Sequence, residues 1–234
     1  MKHLFQKRLG CALGLLLMLC LSTTLVSAQN KRMKDAARHA SAASRVFDQI
    51  MAVRERGIPR DLLDRAEAIA VFPGVMKAAF IIGGHGGQGV ISRRIKGGWS
   101  APAFFNLGGG SFGAQIGAQK TDYVLLIMNE EGLKGLLEDK FEMGGEVSVA
   151  AGPIGRTAAA TTNATLDAGI LSYSRSKGAF IGAALKGGTI TPDNDLNEAI
   201  YEGKKGRDVL ERASTEMPDA VRIFPTTLSR YSRR

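Results

Sequence analysis

The chain contains 234 residues and carries a formal net charge of +9, with 44% apolar and 23% charged residues. Enough apolar side chains are present to build a core, so the composition excludes an intrinsically disordered chain. It also excludes a membrane protein with several spans, because a spanning helix needs roughly 20 apolar residues and only the N-terminal run approaches that length. We therefore expect one globular domain.

The first 28 residues have the pattern of a cleavable signal peptide. Basic residues precede an apolar run over 12–21, and the small residues of Val26-Ser27-Ala28 provide a cleavage site. We therefore expect a periplasmic or secreted protein that is cleaved near Ala28. Both cysteines, Cys11 and Cys20, lie in this leader, so the mature chain is expected to contain no disulfide, thiolate metal site or cysteine nucleophile.

Positive charge is concentrated at the two ends of the remaining chain. Residues 31–57 carry seven Lys and Arg against three acidic residues, residues 203–234 carry eight against four, and the body over 58–202 carries 13 against 15. A groove for nucleic acid would place its cations within the fold, so this distribution argues against nucleic acid as a partner. Two alternatives stay open: the ends contact an anionic surface, or the charge serves only solubility.

A basic amphipathic helical segment is predicted over 29–57. Small and apolar residues recur there every three or four positions, at Ala36, Ala40, Ala43, Phe47 and Ile50. The opposite face is rich in Lys and Arg. Because the apolar stripe consists of alanines at its start, we expect the second half of the helix to dock on the body and the first half to stay loose or to lie on a surface.

Beyond a short helix over 59–65, the chain has the rhythm of an antiparallel sheet. Short apolar runs alternate with glycine, proline or charged turns. Twelve glycines fall between Gly83 and Gly117, and glycine inside a strand marks a bulge, a bend or a close backbone approach. The predicted strands cover 68–72, 78–82, 89–95, 99–107, 111–119, 123–128, 147–151, 166–174, 179–185 and 189–190.

These elements predict an α+β fold: a strongly curved, mostly antiparallel, glycine-rich sheet or small barrel with flanking helices. Helices are expected at 130–139 and 193–201, and a hairpin turn at 96–98. We assign this domain to 58–203. Residues 204–234 are treated as a basic C-terminal tail, whose apolar segment is expected to pack on the body and whose last residues are expected to be mobile.

The glycine run Gly108–Gly113 matches two catalytic or binding patterns by sequence, the dinucleotide fingerprint and the nucleophile elbow. Both need a helix directly after the glycines, whereas the residues that follow alternate like a strand. A nucleophile at Ser111 would also need a later histidine, and His39 and His85 both precede it. Neither interpretation is favoured. An enzyme using His85 with Asp122 is kept as a third hypothesis.

Three further patterns have a plain structural interpretation that we favour. His85 stands in a glycine run and is expected to be a solvated loop histidine. Residues 193–197 imitate the start of a calcium loop, but Glu198 replaces its turn glycine, so helix capping is expected. The rings of Trp99, Phe104, Phe105 and Phe112 could form a binding platform, and core packing is the preferred interpretation. No metal and no cofactor are expected.

Several blocks of the chain together resemble one known domain. They run in order from about Ile58 to Gly203 and include GGWSAP at 97–102, GGGSFGAQIG at 108–117 and AAGPIGR at 150–156. The chain is similar in these blocks to the SYLF domain family. The resemblance implies a non-enzymatic binding domain. Eukaryotic members associate with phosphoinositide-containing membranes and with actin, and exported bacterial members are described as lipid-binding proteins.

The resemblance also implies that a basic amphipathic segment directly before the domain contributes to membrane association, and segment 29–57 occupies that place. We therefore expect an exported, non-enzymatic protein that binds anionic phospholipid, with a phosphoinositide-like headgroup among the candidates. Its expected export argues against actin as a partner. The alternative is a protein-interaction module that binds a filament or a cell-envelope partner through a sheet edge or the helix at 193–201. The candidate lipid-binding residues are Lys31, Arg32, Lys34, Arg38 and Arg45.

Overall fold

The computed structural model describes residues 29–53, 57–79, 82–112, 117–145, 147–155, 167–176, 178–185, 187–212 and 215–232. The expected signal peptide over 1–28 lies outside these residues. The helices are α1 (29–51), α2 (Arg60–Arg65), α3 (Glu130–Leu136), α4 (Asn194–Ile200), α5 (Gly206–Glu211) and α6 (Ile223–Tyr231), with a 3-10 turn at Asp219–Val221. The strands are β1 (Ala68–Ala79), β2 (Ile82–Ile95), β3 (Gly98–Trp99), β4 (Ala103–Phe112), β5 (Gly117–Ile127), β6 (Phe141–Glu142), β7 (Val149–Ala151), β8 (Ile170–Ser176), β9 (Ala179–Gly182) and β10 (Thr189–Pro192).

Among the described residues, ten strands form one curled sheet with the order β6-β10-β4-β2-β1-β5-β8-β7. Two of the ten strands lie outside this order: β3 pairs with β2, and β9 pairs with β8. The strand pairs are antiparallel except β7 with β8, which run parallel. The sheet curls into a half-barrel flanked by helices. The predicted α+β class with a strongly curved, mostly antiparallel sheet is confirmed.

Strand β1 includes the predicted strand 68–72 and continues as far as Ala79, into the separate strand predicted at 78–82, whose last residue begins β2. The pairing of β1 with β5 shifts register between Phe72 and Val75, which is a bulge in the continuous strand. Pro73 and Gly74 occupy this bulge, where Gly74 has a φ of +58°. The Gly74 N–H is bonded to the side chain of Asp122 at 2.8 Å, so the irregular backbone still has a hydrogen-bond partner. A Pro-Gly pair therefore bends the strand here instead of ending it.

The glycine-rich stretch after residue 82 belongs to strand β2 and lets neighbouring parts of the sheet approach closely. A Cβ at Gly89 would lie 2.4 Å from Cδ1 of Phe72 on the adjacent strand, a distance that no side chain tolerates. The hairpin turn expected at 96–98 is confirmed between β2 and β3, with Gly97 at a φ of +89°.

The sheet has a covered half and an exposed half. Every residue of β1 over 68–72 and of β5 over 123–127 is buried, so both faces of the sheet are covered there. Further along the same strands, Met76, Gln119 and Lys120 are exposed. Within the part of the chain that the structure describes, no helix has the length and apolar composition needed to cross a membrane.

Over the described ranges 206–212 and 215–232, the C-terminal segment forms helices that belong to the folded body. Helices α4 and α5 pack against β4, and α6 packs against β3. Val209, Phe224 and Leu228 are fully buried. Near the chain end, the indole N–H of Trp99 donates to the hydroxyl of Ser232 at 3.0 Å. The basic side chains of this segment lie on the outer sides of helices whose inner sides complete the core.

Candidate functional site

The predicted amphipathic helix forms as α1, and its whole apolar stripe is buried. The exposed fraction is 0% for Ala36, Ala40, Ala43 and Phe47, and 3% for Ile50. The expectation that the first half of the helix stays loose is therefore wrong. Alanine side chains bury little area each, but their small size lets the helix approach its neighbours closely along its length.

Polar contacts hold both ends of α1 against other helices. At the first turn, the side-chain amide of Gln29 donates a hydrogen bond to the carbonyl oxygen of Ala199 on α4. Near the other end, Nη2 of Arg230 on α6 lies 3.1 Å from Oδ2 of Asp48. The helix is consequently a fixed element of the fold, and its outward face has a fixed orientation.

Four of the five candidate lipid-binding residues share that outward face. Lys31, Lys34, Arg38 and Arg45 are separated by three, four and seven positions, a spacing that places side chains on one side of a helix. All four are exposed, and we call them the basic stripe. Arg32 is also exposed but lies about 100° around the axis from Lys31, on the flank of the stripe.

The basic stripe is about 21 Å long, from 1.5 Å of rise per residue between its ends. Arg38 pairs with Asp35 through an Nη2 to Oδ1 distance of 3.0 Å. Lys31, Lys34 and Arg45 form no ion pair with any described residue. The stripe therefore presents cations that an external anion can reach without breaking an internal contact.

An apolar groove opens where the basic stripe ends, between the last turns of α1 and strand β9. Its volume is about 460 Å³. Two of its large apolar side chains face solvent, with exposed fractions of 51% for Val53 and 54% for Ile181. We call this feature the α1–β9 groove, and it is lined by Gln49, Ile50, Val53, Ile154, Arg175, Gly178, Ala179, Phe180 and Ile181.

Arg175 in the wall of this groove is held by Asp122. Its Nε and Nη2 atoms lie 3.0 and 2.8 Å from Oδ2 of Asp122. The other carboxylate oxygen accepts the N–H of Gly74 in the β1 bulge. Both oxygens of Asp122 are thus engaged, and the pairing of Asp122 with His85 that the enzyme hypothesis requires is not formed.

His85 lies in strand β2 and not in a solvated loop, which corrects the expectation. A Cβ at Gly109 would lie 2.6 Å from its Cε1, and a Cβ at Gly188 would lie 3.5 Å from its Nε2, so the ring packs against glycine backbone. Neither ring nitrogen has a hydrogen-bond partner among the described residues. Burial, and then the charge of Lys77, lowers the pKa of His85, which favours a neutral ring.

The aromatic cluster and the acidic segment have the structural roles that the sequence predicts. Trp99, Phe104 and Phe105 are buried in the core, whereas the side chain of Phe112 lies outside the described part. Oδ1 of Asp193 accepts the N–H of Leu196 at 3.2 Å and caps α4. Within the described ranges, His, Cys, Asp and Glu side chains form no group of three that could hold a metal.

The sequence did not predict the α1–β9 groove, because its two sides lie far apart in the chain. The nearest signal is the strand predicted at 179–185, whose apolar residues Phe180 and Ile181 follow one another. Consecutive side chains of a strand point to opposite faces of the sheet, so only one of these two side chains can point to the face that the core covers.

Comparison with known proteins places this chain in a family. A family model described as "Ysc84: Las17-binding protein actin regulator" matches residues 108–231. LAS seventeen-binding protein 3 of Saccharomyces cerevisiae is 37% identical over 148 residues, which cover 62% of this chain and 32% of that protein. Protein YSC84 of the same yeast is 34% identical over 184 residues, covering 75% of this chain and 39% of that protein.

A vertebrate relative gives the same picture. SH3 domain-containing YSC84-like protein 1 of Xenopus laevis is 30% identical over 146 residues, covering 62% of this chain and 43% of that protein. The matches cover less than half the length of these relatives. The family match runs from β4 to α6 and so includes the C-terminal helices. The chain belongs to the SYLF domain family of Ysc84-like proteins.

Proposed function

We propose that this protein is an exported, non-enzymatic module that binds anionic membranes through the basic stripe of α1. The observation that carries the proposal is the exposure of Lys31, Lys34, Arg38 and Arg45 on one side of a fixed helix. The leader pattern over 1–28 supports export to the periplasm or the medium. A phosphate-bearing lipid headgroup, including a phosphoinositide-like one, has the charge that these side chains recognise.

The mechanism is electrostatic attraction to a surface, without insertion of the helix. Each Lys or Arg held near an anionic membrane contributes about 1 kcal/mol. Lys31, Lys34 and Arg45 therefore contribute about 3 kcal/mol together, Arg32 adds to this, and the charge of Arg38 is offset by Asp35. Phe47 does not contribute insertion, because its ring is fully buried with its centroid 5.8 Å from that of Tyr231. Binding should therefore be reversible and should weaken as salt shortens the range of the attraction.

Flotation with liposomes tests this proposal on the chain from residue 29. We expect binding that rises with the fraction of anionic lipid and falls at high salt. Replacing Lys31, Lys34 and Arg45 by Glu should abolish it. A matched control replaces the exposed residues Arg60, Lys96 and Lys134 by Glu, which changes the net charge equally but leaves α1 intact. Equal loss in both triple variants would contradict the role of the stripe.

A second candidate function is a protein-interaction module. The observation that favours it is the family itself, since LAS seventeen-binding protein 3 is named for a protein partner. The candidate surfaces are the outer edge of β9 and the exposed side of α4, which carries Asp195 and Glu198. A filament or cell-envelope partner would be the ligand, and its binding should survive the triple substitution in the stripe. Deletion of α1 cannot separate the two functions, because it would expose the core.

A further inference from the structure

We propose that the α1–β9 groove holds the alkyl chain of an anionic amphiphile whose headgroup lies at the end of the basic stripe. This inference rests on the proposed membrane function and specifies its ligand. The groove would take up one chain of a lipid, while the stripe contacts the surface from which that lipid comes.

The lining of the groove matches an alkyl chain. Ile50, Val53, Ile154, Phe180 and Ile181 supply aliphatic and aromatic surface. A volume of about 460 Å³ falls within the roughly 300–1,000 Å³ typical of small-molecule sites. Large apolar side chains that stay exposed side by side mark an interaction site more often than isolated ones do.

The wall formed by β9 is rigid enough to keep its shape without a ligand. The ring of Phe180 stacks on that of Tyr173 with a centroid distance of 5.6 Å and an interplanar angle of 10°. The hydroxyl of Tyr173 donates to the carbonyl oxygen of Pro153 at 3.2 Å, which fixes the position of this ring pair. A chain entering the groove therefore meets a preformed apolar surface, and little ordering cost opposes binding.

The position of the cations selects an anionic amphiphile as the occupant. Gln49 lines the groove, and Arg45 precedes it by one helical turn, about 6 Å along the axis. An alkyl chain lying beside Val53 would thus place a phosphate or carboxylate within reach of Arg45. Gln49 and Arg175 are the polar side chains in the lining, and Arg175 is already paired with Asp122, so the groove itself adds no net charge.

Titration calorimetry with dodecyl phosphate, kept below its critical micelle concentration, tests the inference on the chain from residue 29, which contains every described element. We expect saturable binding with one site. Inorganic phosphate, which lacks the chain, should give no measurable heat. Dodecyl maltoside, which has the same chain without the charge, should bind more weakly. Arg45→Glu should lower the affinity for dodecyl phosphate but leave the affinity for dodecyl maltoside unchanged.

Two substitutions in the groove locate the site. Ile181→Glu places a charge in the apolar lining, and Ala179→Trp fills the groove with a large ring. Each substitution should lower the affinity for dodecyl phosphate about tenfold or more. Both positions are exposed, so the fold should be retained. The matched control is Ile223→Glu, another large apolar residue with an exposed fraction of 45% that lies outside the groove. It should bind as the unmodified chain does.

The outcomes separate this inference from the membrane function. Flotation that depends on the stripe, combined with no saturable binding of dodecyl phosphate, would overturn the groove and leave the membrane function standing. Binding that Ile181→Glu leaves unchanged would also overturn it. Dimers that Ile181→Glu converts to monomers, without chain binding, would assign the groove to a second copy of the protein instead. Dodecyl phosphate binding without flotation would remove the membrane function alone.

Discussion

Asn197 on α4 and Phe104 on β4 exchange two hydrogen bonds. The N–H of Phe104 donates to Oδ1 of Asn197 at 2.8 Å, and Nδ2 of Asn197 donates to the carbonyl oxygen of Phe104 at 2.9 Å. Both side chains are buried. The amide of one side chain thereby pairs with the backbone of the sheet as a neighbouring strand would, and it fixes α4 against β4.

Replacing Asn197 should destabilise the fold strongly. Asn197→Leu leaves the buried N–H of Phe104 without its partner, whereas the carbonyl oxygen of Phe104 still accepts the N–H of Asp193 at 2.9 Å. An unsatisfied buried group costs about 1–3 kcal/mol. We expect the free energy of unfolding to fall by about 1–3 kcal/mol, as measured by denaturant titration. Glu198→Leu on the exposed side of the same helix is the control and should change stability little. Equal stability of Asn197→Leu and the unmodified chain would contradict the role of this pair.

Removing the partner of Arg38 should strengthen membrane binding. Asp35 neutralises part of the stripe through its 3.0 Å contact with Arg38, and Asp35→Asn frees this cation while keeping a side chain of the same shape. One additional cation near an anionic surface is worth about 1 kcal/mol, so the affinity for anionic vesicles should rise about fivefold. Vesicle titration at low salt measures this change. The gain should disappear with neutral vesicles, and a gain that persists there would not be electrostatic.

The basic stripe could be found from the sequence, whereas the groove beside it could not. Lys31, Lys34, Arg38 and Arg45 belong to one helix, so their common face follows from a local periodicity. The groove joins Val53 to Ile181, and no local pattern shows which distant segment packs beside the end of a helix. The groove forms because β9 pairs with β8, and this pairing positions Ile181 across the groove from Val53.

The errors in the fold prediction have related causes. The Pro73-Gly74 pair is typical of a turn, but the side chain of Asp122 satisfies the irregular backbone and the strand continues. The C-terminal segment is polar and basic on average, but buried apolar residues such as Val209 and Leu228 face the core, whereas Ile223 stays exposed. In both cases a contact with a distant residue outweighed the local composition.

Acid should destabilise the protein through its two described histidines. The pKa of His85 is lowered by burial and then by Lys77, and the pKa of His39 is lowered by burial and then by Arg38, against the opposing carboxylates of Asp35 and Asp193. The unfolded chain therefore binds more protons than the folded one as the pH falls below about 6.5. Stability should be unaffected by these groups above that value and should decrease below it.

Denaturant titrations from pH 7 to pH 5 measure this loss. His85→Gln should reduce the pH dependence of the free energy of unfolding, because the glutamine side chain does not titrate. The comparison subtracts any difference in stability between the variant and the unmodified chain at pH 7. Lys77→Gln offers a second check, since it removes the nearby cation and should move the pKa of His85 upward. An unchanged slope in both variants would show that His85 does not titrate differently in the folded and unfolded states.

The contact of Arg175 with Asp122 should stabilise the wall of the α1–β9 groove. Both side chains are mostly buried, with exposed fractions of 23% and 17%, so breaking the pair leaves a poorly solvated charge. Asp122→Asn retains an oxygen that can accept the Gly74 N–H, but its NH2 group replaces the oxygen that accepts from Arg175, so the ion pair and both of its hydrogen bonds are lost. We expect a loss of about 1–3 kcal/mol in the free energy of unfolding. The double variant with Arg175→Met should recover part of this loss, because no unpaired charge remains, and strictly additive losses would show that the two side chains do not stabilise each other.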